Sequence, residues 1–288
     1  QAGNWCISVV VGGLNAWCEH TCLKAVNGHP AISFYSGDAF CYVQANDAMG
    51  ASWGSPVVVD DNISGDIHNA ADNSLIVVNG HPAVAYNEPC DFDGELRYVR
   101  ANDADGATWG EPILVGERDG HSGNILSMAI VNGHPAIAFY ETYIYYVRAN
   151  DANGDTWGIP TKLVRGRDPS LLVVNGKPAI AYEVWIDADE LQYVRALDAD
   201  GETWGNPVTA SPESGKWLQM AIVNNKPAIA YEAWNDPDEL RYVRALDADG
   251  ETWGDPVTVT DDIGVARPSL QVVHGHPSIA YEWHHGDY

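Results

Sequence analysis

The stretch that decides the fold runs Ser170-Leu171-Leu172-Val173-Val174-Asn175-Gly176-Lys177-Pro178-Ala179-Ile180-Ala181-Tyr182. It continues through Leu191-Gln192-Tyr193-Val194-Arg195-Ala196 to Asp198-Ala199-Asp200-Gly201-Glu202-Thr203-Trp204. The apolar run before Asn175-Gly176 meets a dipeptide suited to a two-residue hairpin turn, and Pro178 opens the returning strand. A loop leads to a third strand, the Asp-Gly turn reverses the chain again, and a fourth strand starts at Trp204. The reading is a meander of four antiparallel strands, A to D.

Working outward, the same pattern recurs along the whole chain. Val-Asn-Gly-x-Pro places its proline at Pro30, Pro82, Pro135, Pro178, Pro227 and Pro277, with Asn225 replacing Gly in the fifth copy and His274 replacing Asn in the sixth. The second element, Asp-Ala-x-Gly-x-Thr/Ser-Trp-Gly, recurs at Trp53, Trp109, Trp157, Trp204 and Trp253. Six copies in 288 residues give 48 residues per repeat, a propeller period rather than a helical-solenoid one. The chain therefore reads as all-β, a six-bladed β-propeller with four-stranded antiparallel blades. Five blades fall at 21–60, 73–117, 125–165, 169–211 and 217–261. The sixth is formed from both termini, 268–288 plus 1–12, with Trp5 as its tryptophan and a short or missing strand C. Five repeats with spare ends is the competing count.

The Asp-Ala-Asp-Gly-x-Thr-Trp turn resembles the Asp-box of sialidase-like propellers, and the whole repeat is similar to uncharacterised propeller repeats of bacterial extracellular proteins. The register differs, because Ala104, Ala152, Ala199 and Ala248 stand where that box places its Asp. The resemblance implies the propeller fold and says little of function, since such boxes are structural. A sialidase centre would need three arginines and a Tyr–Glu pair. Arg118, Arg165, Arg167 and Arg267 read as crossover-loop residues in no such motif.

Composition excludes other classes. With 15 Lys and Arg against 40 Asp and Glu the net charge is −25, which repels nucleic acid and anionic membrane. No apolar run approaches the roughly 20 residues of a membrane-spanning helix, so membrane insertion is not expected. The first residue is Gln1, without a basic and apolar leader, which suits a secreted protein whose signal peptide is removed. Cys6, Cys18, Cys22, Cys41 and Cys90 then read as one or two disulfides plus an odd thiol that can recruit another chain; five reduced, buried cysteines are the alternative.

Function in a repeat protein tends to sit where the copies diverge. Five residues after each turn proline stand Tyr35, Asn87, Tyr140, Glu183, Glu232 and Glu282. Trp185, Trp234 and Trp283 follow the three glutamates, and with Trp17 and Trp217 they are the tryptophans not used by the repeat. Aromatic plates beside carboxylates and amides suit sugar recognition. The expected ligand is accordingly a glycan or an extracellular protein, bound on the loop face. Two of Glu183, Glu232 and Glu282 acting as acid and base is the enzyme alternative. A structural subunit associating through the closing blade is a third reading.

No cofactor is required by this reading. Calcium is the candidate ion for the acidic loops containing Asp187, Asp189, Asp236 and Asp238, and His284 with His285 for a transition metal. The turn-position His29, His81, His134 and His276 read as solvated residues.

Overall fold

The computed structural model describes residues 18–63, 72–88, 95–117, 125–185, 189–234, 239–261 and 264–283, and their regular elements are all β-strands. The chain divides into two compact units, Gln1–Asn124 with Ala149–Ile159, and Ile125–Arg148 with Pro160–Tyr288.

In the first unit, sheet 1 comprises β1 (Cys18–Val26), β2 (His29–Ser36), β3 (Ala39–Gln44) and β4 (Val57–Asp60). Sheet 2 comprises β5 (Asn73–Val78), β6 (His81–Glu88), β7 (Glu95–Arg100) and β8 (Ile113–Glu117).

In the second unit, sheet 3 comprises β9 (Leu126–Val131), β10 (His134–Tyr140), β11 (Ile144–Arg148) and β12 (Thr161–Val164). Sheet 4 comprises β13 (Arg167–Val174), β14 (Lys177–Val184), β15 (Glu190–Arg195) and β16 (Val208–Ser211). Sheet 5 comprises β17 (Gly215–Val223), β18 (Lys226–Ala233), β19 (Glu239–Arg244) and β20 (Val257–Thr260). Sheet 6 pairs β21 (Val265–Val273) with β22 (His276–Trp283). Residues 1–12 and Trp5, expected in that last blade, lie outside the described residues.

Every sheet is an antiparallel meander in chain order, as the repeat implies. The Asn-Gly turns work as read: Asn175 and Gly176 take φ of 46° and 74°, a conformation open to Asn and Gly at little cost. The second strand of sheet 4 is closed on both faces; Ala179, Ile180, Ala181 and Tyr182 are all buried. Small alanines on one face let the next sheet approach, so Ala179, Ala181 and Tyr193 of sheet 4 share one core with Leu218, Met220, Ile229 and Tyr231 of sheet 5.

The second turn is held internally and then gripped by the preceding sheet. Asp198 accepts the backbone N–H of Asp200, Gly201, Glu202 and Thr203 and the Thr203 hydroxyl. Partial burial pushes its carboxyl up, but these bonds outweigh that and hold it well below the usual carboxylate range. Trp204 Nε1 donates to Gly201 O at 2.8 Å. Gly201 has φ +79° and lies so close to Tyr146 that a Cβ there would stand 2.6 Å from the ring. The Tyr146 hydroxyl donates to Asp200 O at 2.9 Å, and Asn132 Nδ2 and Arg148 reach Asp200 Oδ1 at 2.8 and 3.1 Å. The same Tyr, Asn and Arg set of sheet 4, namely Tyr193, Asn175 and Arg195, grips the turn at Asp249.

One expectation changes. His29 and His81 are not merely solvated, since each Nδ1 donates to a strand-end carbonyl, Ala45 O at 3.0 Å and Ala101 O at 2.9 Å. Lys177, at the same turn position, reaches one residue farther and donates to Leu197 O, so His and Lys both tie this turn to the end of the third strand. Cys22 carries a free thiol. Its sulfur accepts Leu75 N–H at 3.5 Å, the role played by Ser127 toward Leu171 and Ser170 toward Met220. Burial pushes its thiol pKa up, so it is less reactive than an exposed cysteine. Cys6 and Cys90 lie outside the described residues.

Candidate functional site

The second unit gathers the divergent residues of sheets 4, 5 and 6. Each site begins at a bulge in the first strand. Register slips between Arg167 and Ser170, between Lys216 and Gln219, and between Ala266 and Ser269, so two residues there oppose one. At these bulges Asp168, Trp217 and Arg267 adopt φ of 54°, 57° and 48°. A left-handed conformation is unfavourable for non-glycine residues, above all for a tryptophan, and such outliers concentrate at functional positions.

In sheets 4 and 5 the pairing beside the bulge sets a cation opposite the glutamate, whereas Ala266 stands opposite Glu282. Glu183 faces Arg167 across the pair β13–β14, and Glu232 faces Lys216 across β17–β18. Arg167 binds Glu183 with two nitrogens, Nε to Oε2 and an NH2 group to Oε1 at 3.1 Å, and Ser214 Oγ donates to Oε1 at 2.7 Å. That carboxylate holds the guanidinium firmly in its charged form. Lys216 Nζ lies 2.8 Å from Glu232 Oε1. Glu183 and Glu232 are buried, whereas Glu282 is 48% exposed and stands 3.7 Å from Arg267. Gly166 and Gly215, next to the cations, sit at a close approach of the two strands, where a Cβ would run into Tyr182 or Tyr231 and the carbonyl of the paired glutamate.

Above this buried layer lie the tryptophans. Trp185 and Trp234 are 45% and 53% exposed. The Arg167 guanidinium lies 5.6 Å from the Trp185 ring centre and 5.0 Å from that of Trp234, and Lys216 Nζ lies 5.3 Å from Trp234. Arg267 covers the Trp217 ring at 4.9 Å. A cation within about 6 Å of an indole face is attracted to it, which fixes the plates in place. The result is a row Trp185, Arg167, Trp234, Lys216 with aromatic surface outward and charge neutralised beneath.

Asp168 sits under the same row, almost wholly buried, and accepts the Trp217 N–H at 3.0 Å. Burial raises its pKa to about 6; the Trp217 bond and the charges of Arg167 and Lys216 pull it down, while Glu183 adds to the rise.

Of the residues singled out in the sequence, Glu183, Glu232, Trp185, Trp234 and Trp217 come together here. Tyr140 is buried in the same unit and lies near enough to influence Arg167. Tyr35 and Asn87 are in the first unit and both buried, the Tyr35 hydroxyl donating to Asn87 O at 2.7 Å. Trp283 ends β22. Asp187, Asp236, Asp238, His284 and His285 lie outside the described residues, and Asp189 is exposed. Among the described residues no group of three metal-ligating side chains occurs.

Arg167 and Arg267 belong to strands β13 and β21, not to crossover loops. Sequence reading missed them and Lys216 as partners of the glutamates. The available signal was the dipeptides Gly166-Arg167 and Gly215-Lys216, each placed eight residues before its turn asparagine, Asn175 or Asn224.

No protein-family model matches the chain, and no curated protein matches it. Solved structures do. A protein of unknown function from Dyadobacter fermentans DSM 18053 superposes with a TM-score of 0.66 at 13% identity, covering 95% of this chain and 96% of its own. An ulvan lyase of polysaccharide lyase family 25, bound to GlcA(1-4)Rha3S, gives 0.59 at 14% identity, covering 88% and 73%. The Aleuria aurantia lectin in complex with Fucα1-6GlcNAc gives 0.53 at 10% identity, covering 83% and 78%. At these identities the likeness is one of fold. The chain is all-β, built of repeated four-stranded antiparallel sheets in a manner consistent with propeller-type structures.

Proposed function

We propose that this chain is a secreted, non-catalytic carbohydrate-binding module, a six-bladed propeller whose closing blade takes its outer strand from residues 1–12. One observation carries the ligand reading: Trp185 and Trp234 present half-exposed indole faces held by Arg167 above two buried, ion-paired glutamates. Flat aromatic surface flanked by N–H donors suits the C–H face and hydroxyls of a sugar. That one fold neighbour is a lectin holding a fucosylated disaccharide supports the choice of ligand class. Stacking and hydrogen bonding need no cofactor, and calcium at the acidic loops around Asp189 would act only on loop order.

Catalysis by Glu183 and Glu232 is the second reading, favoured by the ulvan lyase likeness and by the raised pKa of Asp168. The pairing weighs against it. A catalytic acid or base must reach the scissile bond, and both carboxylates are buried with their oxygens engaged by Arg167 or Lys216. A glycan array with the wild type and Trp234→Ala tests the proposal. Binding to a defined glycan set that is lost in the variant is expected, and an array without any bound glycan would refute it. Turnover of a bound glycan that vanishes in Glu232→Gln, with binding kept, would establish the enzyme instead.

A further inference from the structure

The cations around the tryptophan row are balanced one by one. Arg167 spends Nε and Nη2 on the two oxygens of Glu183, so the edge of the guanidinium that would clasp a carboxylate or sulfate is already engaged. Lys216 Nζ is held 2.8 Å from Glu232 Oε1, and half-exposed Arg267 faces Glu282 at 3.7 Å. Asp168, buried beneath the row, adds a fourth carboxyl group. Exposed Arg165, in the preceding crossover, brings the cations to four as well, so no positive charge is left over for a ligand.

The sequence after each plate tips the balance further. Residues 186–190, following Trp185, and 235–239, following Trp234, each carry three acids and no Lys or Arg. A chain of net charge −25 with acids this close in sequence to both plates repels an anionic ligand.

Positive ligands meet a different obstacle. A cation takes a place over an indole face, and the protein's own groups hold those places. Arg167 lies 5.6 and 5.0 Å from the Trp185 and Trp234 ring centres, and Lys216 Nζ lies 5.3 Å from that of Trp234. The ammonium of an amino sugar would have to displace them or stand beside them. What the row offers instead is apolar ring surface with N–H donors at its rim, which suits C–H faces and hydroxyls and rewards no net charge.

We propose that the site selects for the absence of charge: its ligand is a neutral glycan, and glycans carrying uronate, sulfate, sialate or free amino groups are rejected. This selection presupposes the carbohydrate site described above and adds the chemical class of its ligand. The selecting device is the pairing of Arg167 with Glu183 and of Lys216 with Glu232. It fixes the cations beside the rings while cancelling the charge that would draw an anion.

The test is a glycan array divided into neutral, acidic and amino-sugar members, probed with the full chain. Binding is expected among the neutral members only. The affinity of the strongest of them, measured by calorimetry, should change less than about twofold between low and high NaCl, since no attraction between net charges is screened. Glu232→Gln removes the charge that cancels Lys216 and should raise the ratio of acidic to neutral binding severalfold, an increase that fades at high salt. Strongest binding of the wild type to acidic or amino-sugar members overturns the proposal while leaving the carbohydrate site standing. So does a folded Glu232→Gln whose ratio stays that of the wild type. An array with no bound glycan refutes the carbohydrate site itself, and the selection with it.

Discussion

Glu183 of β14 and Arg167 of β13 form a two-point ion pair in which the carboxylate is wholly buried and the guanidinium reaches the surface, where it also meets the rings of Trp185 and Trp234. One arginine thus joins the buried layer of the sheet to the exposed aromatic row. The arrangement orders the plates before any ligand arrives, which lowers the entropy that binding must offset.

Removing Arg167 strands that charge. Arg167→Ala leaves Glu183 buried with only the Ser214 hydroxyl among its observed partners, and loss of one member of a buried pair costs about 3–5 kcal/mol. Urea unfolding should show a fall of that order, with much of it regained in the double variant Arg167→Met with Glu183→Gln. Equal stability of Arg167→Ala and wild type would mean that the pair is not sealed from water.

The two classes of tryptophan should separate in experiment. Trp204 packs edge-on against Tyr146 at 5.2 Å and donates to Gly201 O, so Trp204→Ala should cost about 3 kcal/mol or more of stability. Trp234 is 53% exposed, and Trp234→Ala should cost about 1 kcal/mol or less while abolishing glycan binding. Melting temperature and glycan affinity measured on both variants check the division.

How far the sequence could be read follows from these residues. Turn prolines, Asn-Gly pairs and the repeated Trp are local signals, and they placed the four-strand meanders correctly. The exposed Trp185 and Trp234 were also legible, as departures from the repeat. The cations were not, because they depend on strand register. Arg167 and Lys216 lie eight residues before their turns, but at that place in the sixth repeat stands Ala266, and Arg267 follows one residue later. Only the bulged pairing shows that all three serve the same row of glutamates. Tyr35, Asn87, Glu183 and Glu232 occupy one repeat position and are all buried, and Trp185 and Trp234, two residues after the glutamates, are the exposed side chains beside it.

Two glycines with nearly the same backbone should respond differently. Gly176 at φ +74° has no heavy atom within 4 Å of a Cβ position, so Gly176→Ala should cost about 1 kcal/mol, the strain of the left-handed conformation alone. Gly201 at φ +79° adds the Tyr146 ring at 2.6 Å and Pro178 at 3.0 Å. Gly201→Ala should therefore cost about 2–4 kcal/mol, as strain and overpacking combine. Comparable losses in chemical denaturation would show that the sheet-to-turn contact is loose.

Stability should also depend on pH through Asp168. Its folded pKa of about 6 lies above the ordinary 3.8, so the folded state binds the proton more tightly than the unfolded chain does. The resulting stabilisation is complete below about pH 4 and is lost as pH rises through 6. Asp198 and Asp247 act in the opposite sense, the latter with a pKa of about 2: their contribution is present above pH 4 and fades as pH falls below it. Asp168→Asn keeps an acceptor for the Trp217 N–H and removes only the titration. The difference in unfolding free energy, wild type minus variant, should decrease by about 2–3 kcal/mol between pH 4 and pH 7. A difference that stays flat across that interval would mean that water reaches Asp168, and that the buried layer beneath Trp217 is open.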